Sequence, residues 1–580
     1  MSKQRVSTPP NIITIYSDLK LKHTYKIGET LIFDNQYIQE RIKKTQTLRE
    51  KGINPYPNQV KKGTSSAQFL KECAYVHDID TDEMKKDETK SYRLTGRLKF
   101  IRIMGKAAFA KIEDEDGLVQ IYFNRDDLPE GYYNEVVKRL YEVGDIIEVK
   151  GYPFVTGTGE LTLHCLEVNL VTKSISPLPE KFHGIQDQEI KYRQRYLDMI
   201  MDAEVRKRFK LRSKIVSGIR HFFEKKGFLE VETPMMHPIL GGANAKPFTT
   251  HHNALGVDRF LRIAPELYLK QLITGGMNAV FEIGKNFRNE GIDATHNPEF
   301  TVIEFYWAYK TYIELMEITE ELFDYLFDTL ELDRKLPYGD KEVNFSTPFA
   351  RVKWIDSIVD IGGVPREIAE DRDKGLAFLK ENNLKYDENW TIGYVQAELF
   401  DEYVEAKLID PTFIIDYPVD ISPLARRSDA NPEIAERFEF FVAGAELANG
   451  FSELNDPIDQ YKRFQAQVEA KELTGDDEAM HMDTNFVKAL SYGMTPTAGE
   501  GIGIDRLVMM LTNQQTIRDV LLFPAMRPEA PVAETPKVDP STQCKKCGNN
   551  VAEELKPAKK GKGMFCIDGN ACKVRASERT

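Results

Sequence analysis

The stretch FRNEGIDATHNPEFT (Phe287–Thr301) has the residue types of a hairpin tip, yet it carries an arginine, two glutamates, an aspartate and a histidine. Before it, AVFEIGKNF alternates apolar and polar residues, and after it FTVIEFYWAY is rich in β-branched and aromatic residues, so both flanks predict strands. Gly291, Asp293 and the Asn297–Pro298 pair favour turns and predict a long antiparallel hairpin. Counting by twos places Glu282, Gly284, Asn286 and Arg288 on one face of the first strand, and Phe300, Val302, Glu304 and Tyr306 on one face of the second. Glu304 is out of character among Val302, Ile303, Phe305 and Trp307, because a buried carboxylate is costly unless it meets a cation. Two uses stay open for it: a structural ion pair with a neighbouring strand, or a site whose cation arrives from outside.

Working outward, 580 residues suggest about three or four domains with sizeable cores. Apolar residues make up 41% and charged residues 29%, with no run approaching the roughly twenty apolar residues of a membrane span. The opening MSKQRVSTPP has no secretory pattern, and the cytoplasm is the expected compartment. A net charge of −13 argues against a chain coated in nucleic acid. The basic residues are concentrated, however: Arg41, Lys43, Lys44, Arg49, Lys51, Lys61 and Lys62 face only Glu40 and Glu50, which permits local RNA contact or a solvated helix face.

Residues 1–90 read as an arm and a helical region, with a helix in NQYIQERIKKTQTLREKGI that stops at Gly52. From 91 to 175 the chain turns to five short strands with one interposed helix, predicting a small barrel of the OB type. Such barrels bind single-stranded nucleic acid on aromatics and a basic groove, for which Arg102, Phe109, Gln120 and Tyr122 are suitable, although a lone Phe109 also suits a core. After the proline-containing KSISPLPEKFHG, residues 189–528 mix helices and strands without strict alternation, which predicts an α+β antiparallel domain. Residues 529–540 form a proline-rich linker to a tail at 541–580.

In TAGEGIGIDRL, Gly499, Gly501 and Gly503 occupy alternate strand positions, so one face is bare and a flat ring can lie on it; tight packing against a helix is the other use of such a strand. Arg506 follows, suited to stacking on a purine or reaching phosphates. The spacing fits neither GxGxxG nor a P-loop. FEFFVAGAELANGFSELND adds Glu439, Glu446 and Glu453, acids suited to Mg²⁺ shared with phosphate, and sets Asn449, Phe451 and Glu453 on one face. RIAPELYLKQL supplies Glu266 at a predicted helix start.

GFLEVETPMM, FRNEG through HNPEFT, and GIGIDR resemble the three motifs of class II aminoacyl-tRNA synthetases; RIAPELYLK, HNPEFTVIEFYWAY and ELANGFSELND resemble the lysyl-tRNA synthetase family within them. The resemblance runs from about Gln36 to Pro528 and includes the order of barrel before catalytic domain. It implies activation of lysine with ATP and transfer to tRNA(Lys). Arg288 would hold the α-phosphate and the lysine carboxylate, Phe300 and Arg506 would sandwich adenine, and His296 would lie toward the terminal phosphates. Glu439 and Glu446 would bind Mg²⁺. Glu266 with the Gly242 backbone would take the α-amine, with Asn449 at the carboxylate. Glu453 and Tyr306 would take the ε-ammonium, with Glu304 supporting and Phe451 against the stem. Arg102, Phe109 and Gln120 would read anticodon uracils. Thr295 stands before His296 where some relatives carry arginine.

The segment around Pro234 resembles the dimer-forming motif and implies a homodimer. In the tail, Cys544, Cys547, Cys566 and Cys572 follow C-x2-C, eighteen residues and C-x5-C, resembling a zinc ribbon with a widened second gap. The rivals are aspartyl- and asparaginyl-tRNA synthetases, disfavoured by the carboxylates Glu266, Glu304 and Glu453, and a non-catalytic RNA-binding protein, disfavoured by Arg288, Arg506, Glu439 and Glu446.

Overall fold

The computed structural model describes residues 35–528 apart from 62, 80–83, 180–184, 244 and 475–481, and beyond them two short strands, Leu555–Pro557 and Met564–Cys566. The chain forms two compact units, residues 1–178 with 527–580, and residues 179–526. Cys544, Cys547 and Cys572 lie outside the described residues, as does the arm before residue 35.

In the first unit α1 (Gln36–Glu50) starts at Asn35, whose side chain accepts the Tyr37 backbone N–H at 2.8 Å, a standard N-cap. Its basic residues are spent partly on the unit itself. Lys44 and Lys51 pair with Glu142 and Glu135 at 2.8 and 2.6 Å, and Arg41 donates to the Ser174 carbonyl at 3.1 Å. The strands β1 (Tyr92–Met104), β2 (Ala107–Glu113), β3 (Leu118–Asn124), β4 (Ile146–Val155) and β5 (Leu161–Thr172) close into a barrel in the order β1-β2-β3-β5-β4. Alternation sends Ala108, Ala110, Ile121, Phe123, Leu163 and Cys165 inside, and Phe109, Lys111, Gln120 and Tyr122 to the outer face. The helical segment Tyr133–Leu140, between β3 and β4, caps the interior with Tyr133, Val136 and Val137. The expected OB-type barrel is present.

The second unit is built on an eight-stranded sheet. Its strands are β6 (Leu229–Glu230), β7 (Ala279–Phe287), β8 (Glu299–Ala308), β9 (Ala350–Lys353), β10 (Thr412–Pro418), β11 (Ile434–Val442), β12 (Ala445–Ser452) and β13 (Thr497–Gly503). Their order is β9-β10-β11-β12-β13-β8-β7-β6, antiparallel except for the outer pairs β9–β10 and β6–β7. One face packs against helices α2 (Ala203–Lys225), α4 (Tyr312–Leu330) and α5 (Ile504–Leu511). There Phe223 sits among Phe228, Phe281 and Phe305 with ring centroids 4.6 to 5.4 Å apart, so burial of large aromatics supplies much of the core. The opposite face carries α3 (Glu266–Thr274), whose Leu267, Leu269 and Ile273 cover Val280 and Tyr306. Since side chains alternate, strands with an aromatic inner row can present polar groups on the outer one. The α+β antiparallel expectation holds.

Candidate active site

The predicted hairpin is β7 and β8, and its register puts Glu282 opposite Glu304, Gly284 opposite Val302 and Asn286 opposite Phe300. The row through Glu304 continues to Gly501 of β13, Asn449 of β12 and Glu439 of β11. A second row joins Tyr306, Gly499, Phe451 and Arg437. Five strands therefore deliver these groups to one face, where a cavity of about 1270 Å³, its open mouth included, is lined by Gly242, Glu266, Arg288, His296, Phe300, Glu304, Tyr306, Glu446, Asn449, Phe451 and Arg506. Of the residues expected around lysine and ATP, only Glu453 and Glu439 fall outside that lining.

Glu453 lies beneath the floor. A side chain on Gly499 would run into Tyr306 and Glu453, so that glycine exists to let both approach the strand. Gly501 and Gly503 are roomier, with a Cβ finding its nearest neighbours at 3.4 and 3.6 Å, and these two keep the bare surface expected of the motif.

A lysine absent from the expected site residues explains how two acids share this floor. Lys270, fully buried on α3, places Nζ 2.5 Å from Glu266 Oε1 and in contact with Glu453 Oε2, above the ring of Phe451. Burial disfavours its charge, but the two carboxylates outweigh burial and hold Lys270 above its ordinary range. Its one sequence signal is position: a lysine four residues after Glu266 in a helix otherwise leucine-rich.

Glu304 has no ion pair among the described residues. Tyr306 donates its hydroxyl to Oε2 at 3.2 Å, and burial together with the neighbouring Glu266 pushes the Glu304 carboxyl up to about 8. The structural ion pair falls instead to Glu282, which binds Arg262 at 2.5 Å and the Thr233 hydroxyl at 2.7 Å. Gly284 is bare because the Arg262 guanidinium passes where its Cβ would be.

At the other end, the Arg288 guanidinium lies 5.2 Å from the Phe300 ring centroid, and its Nε is buried with no acceptor among the described residues. Arg506 reaches the Glu446 side chain at 3.9 Å and His296 Nε2 at 3.3 Å; Asp293 holds the other imidazole nitrogen at 2.8 Å. Glu439 accepts from Tyr417 at 2.9 Å and pairs with Arg437 at 2.5 Å, and Arg437 also donates to Asn449 at 3.0 Å. Burial and repulsion from Glu446, partly offset by Arg437, push Glu439 up to about 7. Asp505, next to Arg506, anchors the hairpin by accepting the Thr301 N–H at 2.7 Å while pairing with Arg212 at 2.7 Å.

On the barrel, Arg102 pairs with Phe109, Phe109 with Tyr122, and the Gln120 amide donates to Thr162 at 2.9 Å.

A model of class II tRNA synthetases (D, K and N) matches residues 187–527, and one of OB-fold nucleic acid binding domains matches 92–171. The chain belongs to the class II tRNA synthetases. A lysine–tRNA ligase of Aliarcobacter butzleri is 65% identical over 497 residues, 86% of this chain and 98% of that protein. Lysine–tRNA ligases of Wolinella succinogenes and Campylobacter jejuni subsp. jejuni are 60% and 59% identical over the same length, covering 97% and 98% of those proteins. Within the class, this chain falls in the lysine–tRNA ligase family.

Proposed function

We propose that this enzyme joins lysine to ATP as lysyl-adenylate and passes the lysyl group to tRNA(Lys), with the residues above in the following roles. The observation that carries the substrate is charge. Glu266, Glu304 and Glu453 converge on a pocket where, among the described residues, Lys270 is the buried cation paired with them, so counted as ionised the three acids lack two positive groups in direct contact. Lysine brings two ammonium groups, whereas aspartate and asparagine bring one each and nothing for the remaining acid. Glu266 with the Gly242 backbone takes the α-amine; Glu453, Glu304 and Tyr306 take the ε-ammonium; Phe451 lies against the stem and Asn449 at the carboxylate.

Arg288 grips the carboxylate and the α-phosphate, which suits a guanidinium whose Nε is buried without a partner. Phe300 and Arg506 hold adenine between them, and His296, oriented by Asp293, faces the terminal phosphates. The lysine carboxylate oxygen attacks the α-phosphorus, the bond to the bridging oxygen breaks, and pyrophosphate leaves. The terminal ribose hydroxyl of tRNA then attacks the lysyl carbonyl and AMP leaves. No protein nucleophile takes part; fixed positive groups position the reactants and spread the developing charge.

Glu439 and Glu446 suit Mg²⁺, since they repel one another and offer the oxygens a hard cation prefers. Bound there with ATP, Mg²⁺ would neutralise phosphate charge. Large exposed side chains at Leu229, Met235 and Met236, beside Pro234, support a homodimer, which sedimentation would detect. The cysteine spacing of the tail supports zinc, checked by metal analysis of full-length protein prepared without chelator. We place the enzyme in the cytoplasm; no helix among the described residues is long and apolar enough to cross a membrane.

ATP–pyrophosphate exchange with each of the twenty amino acids, without tRNA, tests the substrate reading. Exchange with lysine alone is expected; exchange with aspartate or asparagine would overturn it.

A further inference from the structure

Arg437 stands in the sheet row that passes Phe451, yet it does not line the cavity. It reaches the site through its neighbours. Its Nε donates to Asn449 Oδ1 at 3.0 Å, and one Nη donates to the Ile421 carbonyl at 3.0 Å and the Ser422 hydroxyl at 3.1 Å. The other Nη donates to Glu439 Oε1 at 2.5 Å. The guanidinium also lies 4.6 Å from the ring centroid of Tyr417, which is buried against Trp354 with centroids 4.4 Å apart. Held on its edges and on one face, the planar group is a fixed fork.

What the fork fixes is the direction of an amide. A guanidinium has donors and no acceptor, so the atom that Asn449 turns toward Arg437 must be its oxygen. Asn449 lines the cavity, and its Nδ2 donates to no group among the described residues. An amide without such a partner rotates freely enough to offer either end, because the last torsion of asparagine is broad and roughly two-fold. With Nδ2 leading it donates to a carboxylate; with Oδ1 leading it repels one.

We propose that Arg437 is a positioning residue for the amino-acid carboxylate: it locks the Asn449 amide with Nδ2 toward the substrate, so the pocket selects the α-carboxylate as well as the two ammonium groups. This rests on Asn449 lying at that carboxylate. Arg288 supplies charge there, and Arg437 supplies orientation without touching the substrate.

The test measures binding of lysine and of cadaverine by calorimetry without ATP. Cadaverine has both ammonium groups and no carboxylate, so it reports on the rest of the pocket and on folding. In Arg437→Lys a methylene stands where Nε was, which removes the donor to Asn449 and keeps a cation for Glu439. This variant should raise the Kd for lysine about tenfold and leave that for cadaverine within about twofold. Asn449→Ala should do the same, and the double variant should lose no more than Asn449→Ala alone, since both remove one interaction. If Asn449→Ala weakens lysine alone while Arg437→Lys weakens both ligands equally or neither, the proposal is refuted and the carboxylate role of Asn449 stands. Additive losses in the double variant would refute it in the same way. If Asn449→Ala leaves lysine binding unchanged, or weakens cadaverine as much, that role falls and the proposal with it.

Discussion

Glu304 is buried beside Tyr306, and burial with the neighbouring charge of Glu266 pushes its carboxyl from 4.5 up to about 8. Without lysine the folded protein therefore keeps a proton there that an unfolded chain has lost, and this group's contribution to stability falls as pH rises from about 4.5 to 8. An arriving ammonium favours the ionised form, so binding below pH 8 releases the proton. The KM for lysine should fall by up to about tenfold per pH unit as pH approaches 8 and level off above it. Glu304→Gln should raise that KM and flatten its pH profile; a wild-type profile without slope would count against the assignment. Lys270→Met should raise the KM for lysine at least about tenfold while that for ATP stays within about twofold, because Glu266 and Glu453, left without their shared counter-ion, repel one another or take up protons and no longer present carboxylates to the ammonium groups. The alternation of the hairpin made Glu304 and its row legible in the sequence. Lys270 was not legible, because a glutamate and lysine four apart on a helix usually mark an exposed pair, and only packing of α3 on Val280 and Tyr306 buries this one.

At the level of elements, the glycine strand β13 separates two demands that its spacing cannot distinguish. Gly499→Ala must displace Tyr306 and Glu453, and should cost about 1–3 kcal/mol of stability and abolish exchange with lysine. Gly501→Ala meets only ordinary contact with Glu304 and should cost less than about 1 kcal/mol, with its main effect on KM for the substrates. Denaturant unfolding of the two variants checks the order; equal losses would contradict it. The hairpin strands and their alternation, the end of α1 near Gly52 and the start of α3 at Glu266 were readable from apolar period and turn residues. A β-bulge was not: between Phe440 and Phe441 the register of β11 and β12 shifts, so Glu446 stands opposite Phe441 rather than Val442. No residue type announces that shift, and the relation of Glu439 to Glu446 depends on it.

For the whole molecule, activation and base reading sit on separate compact units, each with a core of its own. Phe109→Ala should weaken charging of tRNA while leaving adenylate formation nearly intact, and equal loss of both would sink the barrel assignment. The match to the class II synthetase model ends at residue 527, so a chain ending at Pro528 should retain lysine-dependent exchange. Order of domains and family motifs were plain in the sequence; the outer face of the barrel was plain only in part, since partners as remote as Gln120 and Thr162 meet through strand order rather than through any local pattern. The outer row of Arg102, Phe109 and Tyr122 also constrains how the barrel can change over time. The loops joining its strands can lengthen or shorten without moving a ring, but one residue inserted inside a strand turns every later side chain to the opposite face and removes a member from the row. If this face is the one that meets tRNA, a changed base preference is expected from point substitutions that keep the register.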